Sequence, residues 1–294
     1  MTLGGQVDEQ VATEMLRTFF RHQSKSARVH LDTAFLYQDQ KTEAMLGRIL
    51  EPEQRSRMYI ATKGACLETS LSNLRLSSVD LFYLHWPDHR RPLLETLRAC
   101  DRLHERGLFR EFGLSNYSAE EVSKVFELCE AHALLRPTVY QGLYNVLSRA
   151  VEEDMDAFRE LGLRFYAYNP LAGGLLSGKH KIEDKEVVTG RFAAGLKQGR
   201  IYQKRYWKRG YFDAIGLMCG SLGEGEDLAG VSLRWLLHHS KLGEEDGVII
   251  GQSSMEHLRA NLSAFSMPPL SPEVVDACDR AYDVCKAEQP AYYR

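Results

Sequence analysis

The sequence lacks the patterns that mark metal-binding, disulfide-rich and membrane-spanning chains. Its cysteines form no CxxC pair, and scattered cysteines indicate neither a zinc site nor a disulfide framework. We therefore expect no metal and a reducing compartment, the cytoplasm. The six cysteines are Cys66, Cys100, Cys129, Cys219, Cys278 and Cys285. No apolar run approaches the roughly 18 residues of a membrane span, and the N-terminal MTLGGQVDEQ lacks the basic and apolar regions of a secretory signal.

An excess of charge of one sign is also missing. Among 294 residues, 37 lysines and arginines stand against 40 acidic residues, so the formal net charge is −3. This balance gives no global reason to expect nucleic acid or an anionic membrane as a partner. The clearest basic stretch, KRYWKR at 204–209, is too short and too aromatic for a tail. With 44% apolar and 26% charged residues, the composition is that of a soluble globular protein.

What the chain does have is a regular alternation of short apolar runs and helical patterns. The runs that predict strands are RVHLDTA (28–34), RMYIATK (57–63), VDLFYLH (79–85), LFREFGLSN (108–116), TVYQGLY (138–144), LRFYAYN (163–169) and GVIIG (247–251). One helical pattern begins at Ser118 with Glu121 three residues on, which is a capping box, and another stops at Gly107. Strand and helix at this spacing predict βα units and a parallel sheet.

Eight such units predict an α/β fold, the (β/α)8 barrel, as one domain over residues 1–294. Seven strands are the runs above, and MTLGG supplies a shortened first strand. A doubly wound open sheet is the competing topology, but its GxGxxG turn is missing after the first strand. A shortened third helix is expected over 66–75. The region 171–230 predicts a long functional loop across the top of the barrel, leading to a helix near 211–219.

Four polar residues lie at the ends of predicted strands, where a parallel barrel builds its active site. They are Asp32, Tyr37, Lys63 and His85. A buried lysine needs a partner, and Asp32 on the neighbouring strand supplies one, so these two residues alone fit a structural ion pair equally well. Tyr37 and His85 shift the balance toward chemistry. A nearby ammonium and imidazole would lower the pKa of the phenol and let it give a proton to an alkoxide.

A phosphate-binding pattern follows the last predicted strand. In GQSSMEHLRANL (251–262) the strand ends at Gly251, and Ser253 and Ser254 open a helix. The free N–H groups and the dipole of a helix N-terminus favour an anion, and barrels of this type often bind phosphate after their last strands. An ordinary serine N-cap is the alternative.

Several segments resemble the aldo-keto reductase superfamily. LDTAFLY, IATK and DLFYLHWPDH are similar to the segments that carry its catalytic tetrad. Five longer segments resemble its aflatoxin-aldehyde and succinic-semialdehyde reductase branch: GLSNYS (113–118), PTVYQGLYN (137–145), FYAYNPLAGGLLSGK (165–179), LRWLLHHS (233–240) and IIGQSSMEHLRANL (249–262). The resemblance implies reduction of aldehydes and some ketones to alcohols, with hydride from NADPH and a proton from Tyr37. Lys63, held by Asp32, would lower the pKa of that phenol, and His85 would orient the carbonyl.

The resemblance also implies a set of cofactor-binding residues. Ser115, Asn116 and Gln141 would hold the nicotinamide, and Tyr168 would stack under it. Asn169, Leu171 and Gly173 would follow the pyrophosphate. Gly251, Ser253, Ser254 and Arg259 would bind the adenosine 2′-phosphate, and Asn261 would lie at the adenine. From the residues alone, barrel-top capping fits the first three and a core position fits Tyr168. The family usually has Gln where this chain has His257.

For the substrate, Trp86 is expected to wall the pocket. Arg205, in KRYWKR, would pair with a substrate carboxylate, although a solvated basic loop fits it equally well. Arg294, in the C-terminal AYYR, would fold over the mouth. The family further implies a homodimer. Relatives are longer before the first helix and after Lys63, which leaves a second interpretation open: a catalytically impaired nucleotide-binding barrel that serves as a regulatory or interaction subunit.

Overall fold

A parallel sheet of seven strands forms the centre of the molecule. The structure, a computed structural model, describes residues 2–23, 28–64, 66–184, 187 and 190–294. The strands are β1 (Val29–Asp32), β2 (Met58–Lys63), β3 (Val79–Leu84), β4 (Phe109–Ser115), β5 (Val139–Leu143), β6 (Arg164–Tyr168) and β7 (Gly247–Val248). Each pairs in parallel with the next along the chain. All seven strands predicted from the apolar runs are therefore confirmed.

Helices connect most of the strands. They are α1 (Glu9–His22), α2 (Lys41–Ile49), α3 (Pro52–Ser56), α4 (Leu67–Leu74), α5 (Leu93–Glu105), α6 (Ala119–Ala131), α7 (Met155–Glu160), α8 (Lys197–Tyr206), α9 (Arg209–Cys219), α10 (Leu228–His238), α11 (Met255–Ala264) and α12 (Pro272–Cys285), with short 3-10 turns at Ala150–Glu153, Ala172–Ser177, Gly190–Phe192 and Lys286–Glu288. In the described part of the chain, none of them is both long and apolar enough to cross a bilayer.

The helix ends expected from the sequence form as predicted. At the start of α6, the Glu121 N–H donates to Ser118 Oγ at 3.2 Å and the Ser118 N–H donates to Glu121 Oε2 at 2.8 Å, which completes the capping box. After α5, Gly107 adopts a φ of 72° and turns the chain into β4. These local signals fix where α5 ends and where α6 begins.

Side chains from distant strands meet inside the sheet, so the sheet is curled into a barrel. Gln141 on β5 donates to Asp32 on β1 at 2.8 Å. Nearer the other end, the rings of His30 on β1 and Tyr166 on β6 lie 5.8 Å apart. Neither contact could form across a flat sheet with four or five strand spacings of about 4.8 Å between the partners. The predicted α/β barrel class is confirmed.

The N-terminal segment does not supply the predicted first strand. Residues 2–7 form a turn closed by a bridge between Leu3 and Val7, and the Leu3 carbonyl accepts from Thr42 Oγ1 on α2 at 2.8 Å. Within the described residues, no strand lies between β7 and β1. The physical reason is length: a run of three residues followed by two glycines gains more by packing on α2 than by pairing.

The chain after β6 contains more helix than the predicted long loop. The helix expected near 211–219 is α9, but α8 was not predicted, because KQGRIYQKRY carries a glycine and four basic residues. It forms since Tyr202 and Tyr206, four residues apart, both bury their rings on one side. The helix after Lys63 is α4, which lies inside the predicted 66–75.

Candidate active site

A buried ion pair lies at the carboxyl ends of β1 and β2. Lys63 Nζ contacts Asp32 Oδ1 at 2.6 Å and the Thr33 carbonyl at 2.9 Å. The lysine side chain is 1% exposed and the aspartate 14%. Burial lowers the pKa of Lys63, and the carboxylates of Asp32 and Glu43 oppose that change. The predicted ion pair is therefore present, and little of it is exposed to solvent.

Tyr37 lies in the turn that follows β1, beside this pair. Lys63 Nζ is 5.5 Å from the centroid of the Tyr37 ring, and the His85 ring is 6.2 Å from it at a steep angle. The structure thus brings the four predicted residues together. The expected effect on the phenol is wrong, however. Burial first, and then the charge of Asp32, raise the pKa of Tyr37 well above 10, and these two effects outweigh the expected lowering by the nearby ammonium and imidazole.

His85 follows β3 and is held as a neutral imidazole. Burial, assisted by the charges of Lys63 and Arg294, lowers its pKa to about 3. Its Nδ1 atom is buried and has no hydrogen-bond partner within the described residues. The ring packs against Trp86 at 4.3 Å between centroids. An imidazole in this state can donate or accept one further hydrogen bond at the mouth of the barrel.

The residues predicted to hold a nicotinamide are joined to one another. Asn116 has a φ of 61°, donates to the His85 carbonyl at 2.8 Å and accepts from the Tyr168 hydroxyl at 2.7 Å. Its amide also donates to Ser115 Oγ at 2.9 Å. Gln141 is turned inward to Asp32. These bonds match the capping alternative, and they also fix the polar ends of β4, β5 and β6 around one opening.

The segment predicted to follow a pyrophosphate lies beneath α8. The Leu171 carbonyl accepts from Gly174 N at 2.7 Å in a tight turn. Gly173 has a φ of 71°, and a Cβ there would lie 2.4 Å from the Tyr202 ring. The Tyr202 hydroxyl donates to Asn169 Oδ1 at 3.0 Å. Sequence reasoning missed Tyr202, although the i, i+4 spacing of two tyrosines in this stretch was the available signal.

The predicted phosphate site is split between two faces of α11. Ser254 Oγ accepts from His257 N at 3.1 Å and is the N-cap, as the alternative had it. Ser253 is exposed, and its Oγ lies 3.4 Å from His257 Nδ1. Gly251 has open space around it. Arg259 instead lines a groove of about 400 Å³ between α11 and α1.

The remaining predicted contacts occupy the mouth and the core. The Arg205 guanidinium lies 6.0 Å from the Tyr202 ring and 5.9 Å from the Tyr206 ring. The C-terminus folds over the mouth as expected: Arg294 N donates to the Asn116 carbonyl at 3.0 Å, and its guanidinium lies 5.0 Å from the Trp86 ring. Asn261 is buried in α11.

Two further buried groups that influence Lys63 were missed. Tyr83 on β3 is 0% exposed, with its ring centroid 5.3 Å from Lys63 Nζ. Glu43 on α2 is also buried and accepts from Thr62 Oγ1 at 2.5 Å. Strand alternation was the available signal for Tyr83, because it stands two residues before His85 and so points to the same side. Glu43 carried no such signal.

A curled parallel sheet with a lysine–carboxylate pair, a phenol and an imidazole at its carboxyl end is an α/β barrel with a polar site where barrel enzymes carry their active sites. The Aldo/keto reductase family model matches residues 1–283. The chain belongs to this family and is an aldo-keto reductase. No group of three or more potential metal-binding His, Cys, Asp or Glu residues occurs among the described residues.

Named relatives support the family at high coverage. The human aflatoxin B1 aldehyde reductase member 4 is 41% identical over 319 residues, covering 100% of this chain and 95% of the relative. The human aflatoxin B1 aldehyde reductase member 2 is 42% identical, covering 100% of this chain and 88% of the relative. A solved aldo-keto reductase from Klebsiella pneumoniae in complex with NADPH has a TM-score of 0.70 at 22% identity, covering 99% of this chain and 89% of its own.

Proposed function

We propose that this protein reduces aldehydes, and some ketones, to alcohols with NADPH, and that Tyr37 supplies the proton. The observation that carries the proposal is the placement of the Lys63 ammonium, tied to Asp32 at 2.6 Å and 5.5 Å from the Tyr37 ring, with His85 on the same side. A structural ion pair needs neither a phenol nor an unpartnered imidazole beside it. No observation favours the alternative of a regulatory or interaction subunit.

The residues around the mouth fit a nicotinamide dinucleotide. Gln252 Oε1 is buried and has no partner in the described part of the chain; it lies beside the open space at Gly251, just before the ten-residue helix α11. The residues proposed to contact the cofactor are Ser115, Asn116, Gln141, Tyr168, Asn169, Leu171, Gly173, Ser253 and Ser254. Arg259, which lines the groove between α11 and α1, and the buried Asn261 lie outside this set. When bound, NADPH supplies hydride to the carbonyl carbon.

Tyr37 is suited to hold a proton until an alkoxide forms. Its raised pKa keeps the phenol protonated at neutral pH. An alkoxide on the substrate is a far stronger base than a phenolate, so the phenolic proton moves to the substrate oxygen. The ammonium of Lys63 then stabilises the phenolate that remains, and Asp32 keeps that ammonium in place.

His85 directs the carbonyl toward Tyr37 in this proposal. Since its pKa is about 3, the imidazole is neutral across the physiological range and can donate a hydrogen bond to the substrate oxygen without competing as an acid. Trp86, packed on the same ring, would close one side of the pocket.

We propose aldehydes as the main substrates, because the relatives are named as aflatoxin B1 aldehyde reductases. Arg205 and Arg294 lie at the mouth, so an aldehyde with a distal carboxylate, such as succinic semialdehyde, is expected to bind well. We further expect a homodimer in the cytoplasm, which light scattering and cell fractionation would check.

Two measurements test the proposal in order. Quenching of intrinsic fluorescence by NADPH should saturate, and a flat titration would favour a subunit without a cofactor. NADPH oxidation with 4-nitrobenzaldehyde and with succinic semialdehyde should then be followed at 340 nm for the wild type and Tyr37→Phe. Equal rates for the two proteins would rule out Tyr37 as the proton donor.

A further inference from the structure

Lys63 lies between the faces of two phenol rings. Its Nζ atom is 5.5 Å from the centroid of Tyr37 on the mouth side and 5.3 Å from the centroid of Tyr83 inside the barrel. Both distances are within the roughly 6 Å over which an aromatic face attracts a cation. The proposed mechanism uses Tyr37 and gives Tyr83 no part, although both rings are equally close to the ammonium.

The contact of Tyr83 with the site is made by its ring rather than its hydroxyl. The hydroxyl is buried and lies beside the Gln141 amide without a hydrogen bond of normal geometry to any described residue. Gln141 directs its amide N–H to Asp32 instead. A buried hydroxyl without a partner is unfavourable, so the residue is placed here by what its ring does.

The backbone leaves a fitted space for this ring. Tyr83 on β3 pairs in register with Gly113 on β4. A Cβ on Gly113 would lie 2.4 Å from Tyr83 Cδ1 and 2.6 Å from Cε1, and 3.2 Å from the Val139 carbonyl oxygen. Only glycine lets the ring lie flat against β4 at this height, so the position of the ring below Lys63 is determined by the sheet itself.

We infer that Tyr83 is a positioning residue, whose ring forms a cation-attracting floor that holds the Lys63 ammonium charged beneath Tyr37. The inference deepens the proposed function and rests on it. Tyr83 touches neither substrate nor cofactor in this account, and it acts through Lys63 alone. The face of its ring attracts the ammonium and so favours the charged form of the lysine over the neutral form.

Five titratable groups face or influence Lys63 from the elements packed around it. They are Asp32 on β1, Tyr37 in the turn after β1, Glu43 on α2, Tyr83 on β3 and His85 after β3. Asp32 and Glu43 stay in place when Tyr83 is changed, so the loss of the ring removes one stabilising contact and leaves burial. The pKa of Lys63 should then fall.

The experiment compares Tyr83→Leu, Tyr83→Phe and the matched control Tyr166→Leu. Tyr166 belongs to the same buried cluster inside the barrel, and its charged neighbours are Arg164, Glu111 and residues near 246 rather than Lys63. Two readouts are taken on the full chain: the basic limb of the kcat–pH profile, and the ammonium titration by NMR with ¹³Cε-labelled lysine, assigned with Lys63→Met.

In Tyr83→Leu both readouts should move to lower pH by roughly half a unit to one unit, the size of a cation–aromatic contact. Tyr83→Phe and Tyr166→Leu should both match the wild type. An unchanged Lys63 titration in Tyr83→Leu, an upward shift, or an equal shift in Tyr83→Phe would overturn the inference. The NMR titration needs no turnover, so a failure of the proposed reductase activity is seen separately.

A second variant tests the inference without removing the Tyr83 ring. Gly113→Ala displaces the Tyr83 ring without removing it, and should shift the Lys63 titration in the same direction. Its loss of thermal stability should be much smaller in the Tyr83→Leu background, because the crowding partner is gone. Equal losses in both backgrounds would show that the ring does not occupy this space.

Discussion

The two ends of the barrel differ in how fully their polar groups are hydrogen-bonded. At the carboxyl ends of the strands, His85 Nδ1 and Gln252 Oε1 have no hydrogen-bond partner among the described residues. At the other end, Glu111 accepts from Tyr59 at 2.6 Å and from Thr138 at 2.8 Å, and it also pairs with Arg164. Buried polar groups normally have hydrogen-bond partners. The groups without a partner therefore mark the end of the barrel that binds a ligand, and the closed network of hydrogen bonds around Glu111 marks the end that stabilises the fold.

The largest contrast is expected between two identical substitutions, one at each end. Tyr37→Phe removes the proposed proton donor but keeps the ring, so kcat should fall by about 10² to 10⁴ while the unfolding midpoint hardly moves. Tyr59→Phe removes a donor to Glu111, so it should cost about 1–2 kcal/mol in unfolding free energy and leave kcat unchanged. Steady-state NADPH oxidation and urea unfolding measure both.

The reverse pattern would remove the distinction between the ends. If Tyr59→Phe lost activity without losing stability, the closed network would have a catalytic part. If Tyr37→Phe kept its rate, the phenol would be a packing residue and the ion pair a structural one, which is the alternative that the sequence left open.

The next largest effect is expected at the Lys63–Asp32 ion pair, whose loss should lower both activity and stability. Lys63→Met leaves the largely buried Asp32 without its ammonium, so unfolding free energy should fall by about 3–5 kcal/mol, together with activity. Asp32→Asn in the same chain should recover much of the stability and none of the activity, because an amide needs no counter-ion. Urea unfolding of the single and double variants measures this difference.

The strand positions could be predicted from the sequence because each strand is a buried apolar run ending in polar residues. Six of the seven strands begin and end within two residues of the predicted bounds, and the capping box at Ser118 set the start of α6. The prediction that MTLGG forms the first strand was wrong, because two glycines and three other residues carry no periodic signal. The helix α8 was not predicted because its apolar contacts come from two tyrosines among basic residues. Burial of those tyrosines, and not the local sequence, determines its conformation.

The membership of the site was also predictable, whereas its electrostatics were not. Strand ends placed Asp32, Lys63 and His85 on one face without any coordinates. The direction of the shift in the Tyr37 pKa depends on how far the phenol is shielded from water and on how fully the charge of Asp32 offsets that of Lys63. Only the packed structure gives these two quantities. Tyr83 was hidden for a related reason, since a tyrosine inside a strand looks like core.

The third effect is a dependence of stability on pH that comes from His85, at the carboxyl end of the barrel. The folded pKa of His85, about 3, lies below its usual 6.5, so protonation favours the unfolded chain. Its contribution to stability is complete above pH 6.5 and is lost as pH falls toward 3, by about 1.4 kcal/mol per unit. His85→Asn should therefore show a flatter fall in unfolding free energy between pH 6.5 and 4.5 than the wild type. Parallel slopes in urea titrations would contradict a buried neutral imidazole.

The smallest effect is expected in the closed network. Burial alone would raise the pKa of Glu111, but bonds from Tyr59 and Thr138 and the charge of Arg164 outweigh it, so the pKa lies below 4.5. This depressed acid contributes stability above about pH 4.5, and the contribution is lost as pH falls through the folded value. Glu111→Gln should thus cost about 1–2 kcal/mol at pH 7 and progressively less as the pH falls below about 4.5, with kcat unchanged at pH 7. A pH-independent cost would mean that shape rather than charge holds this end, and a lower kcat would mean that the two ends are coupled.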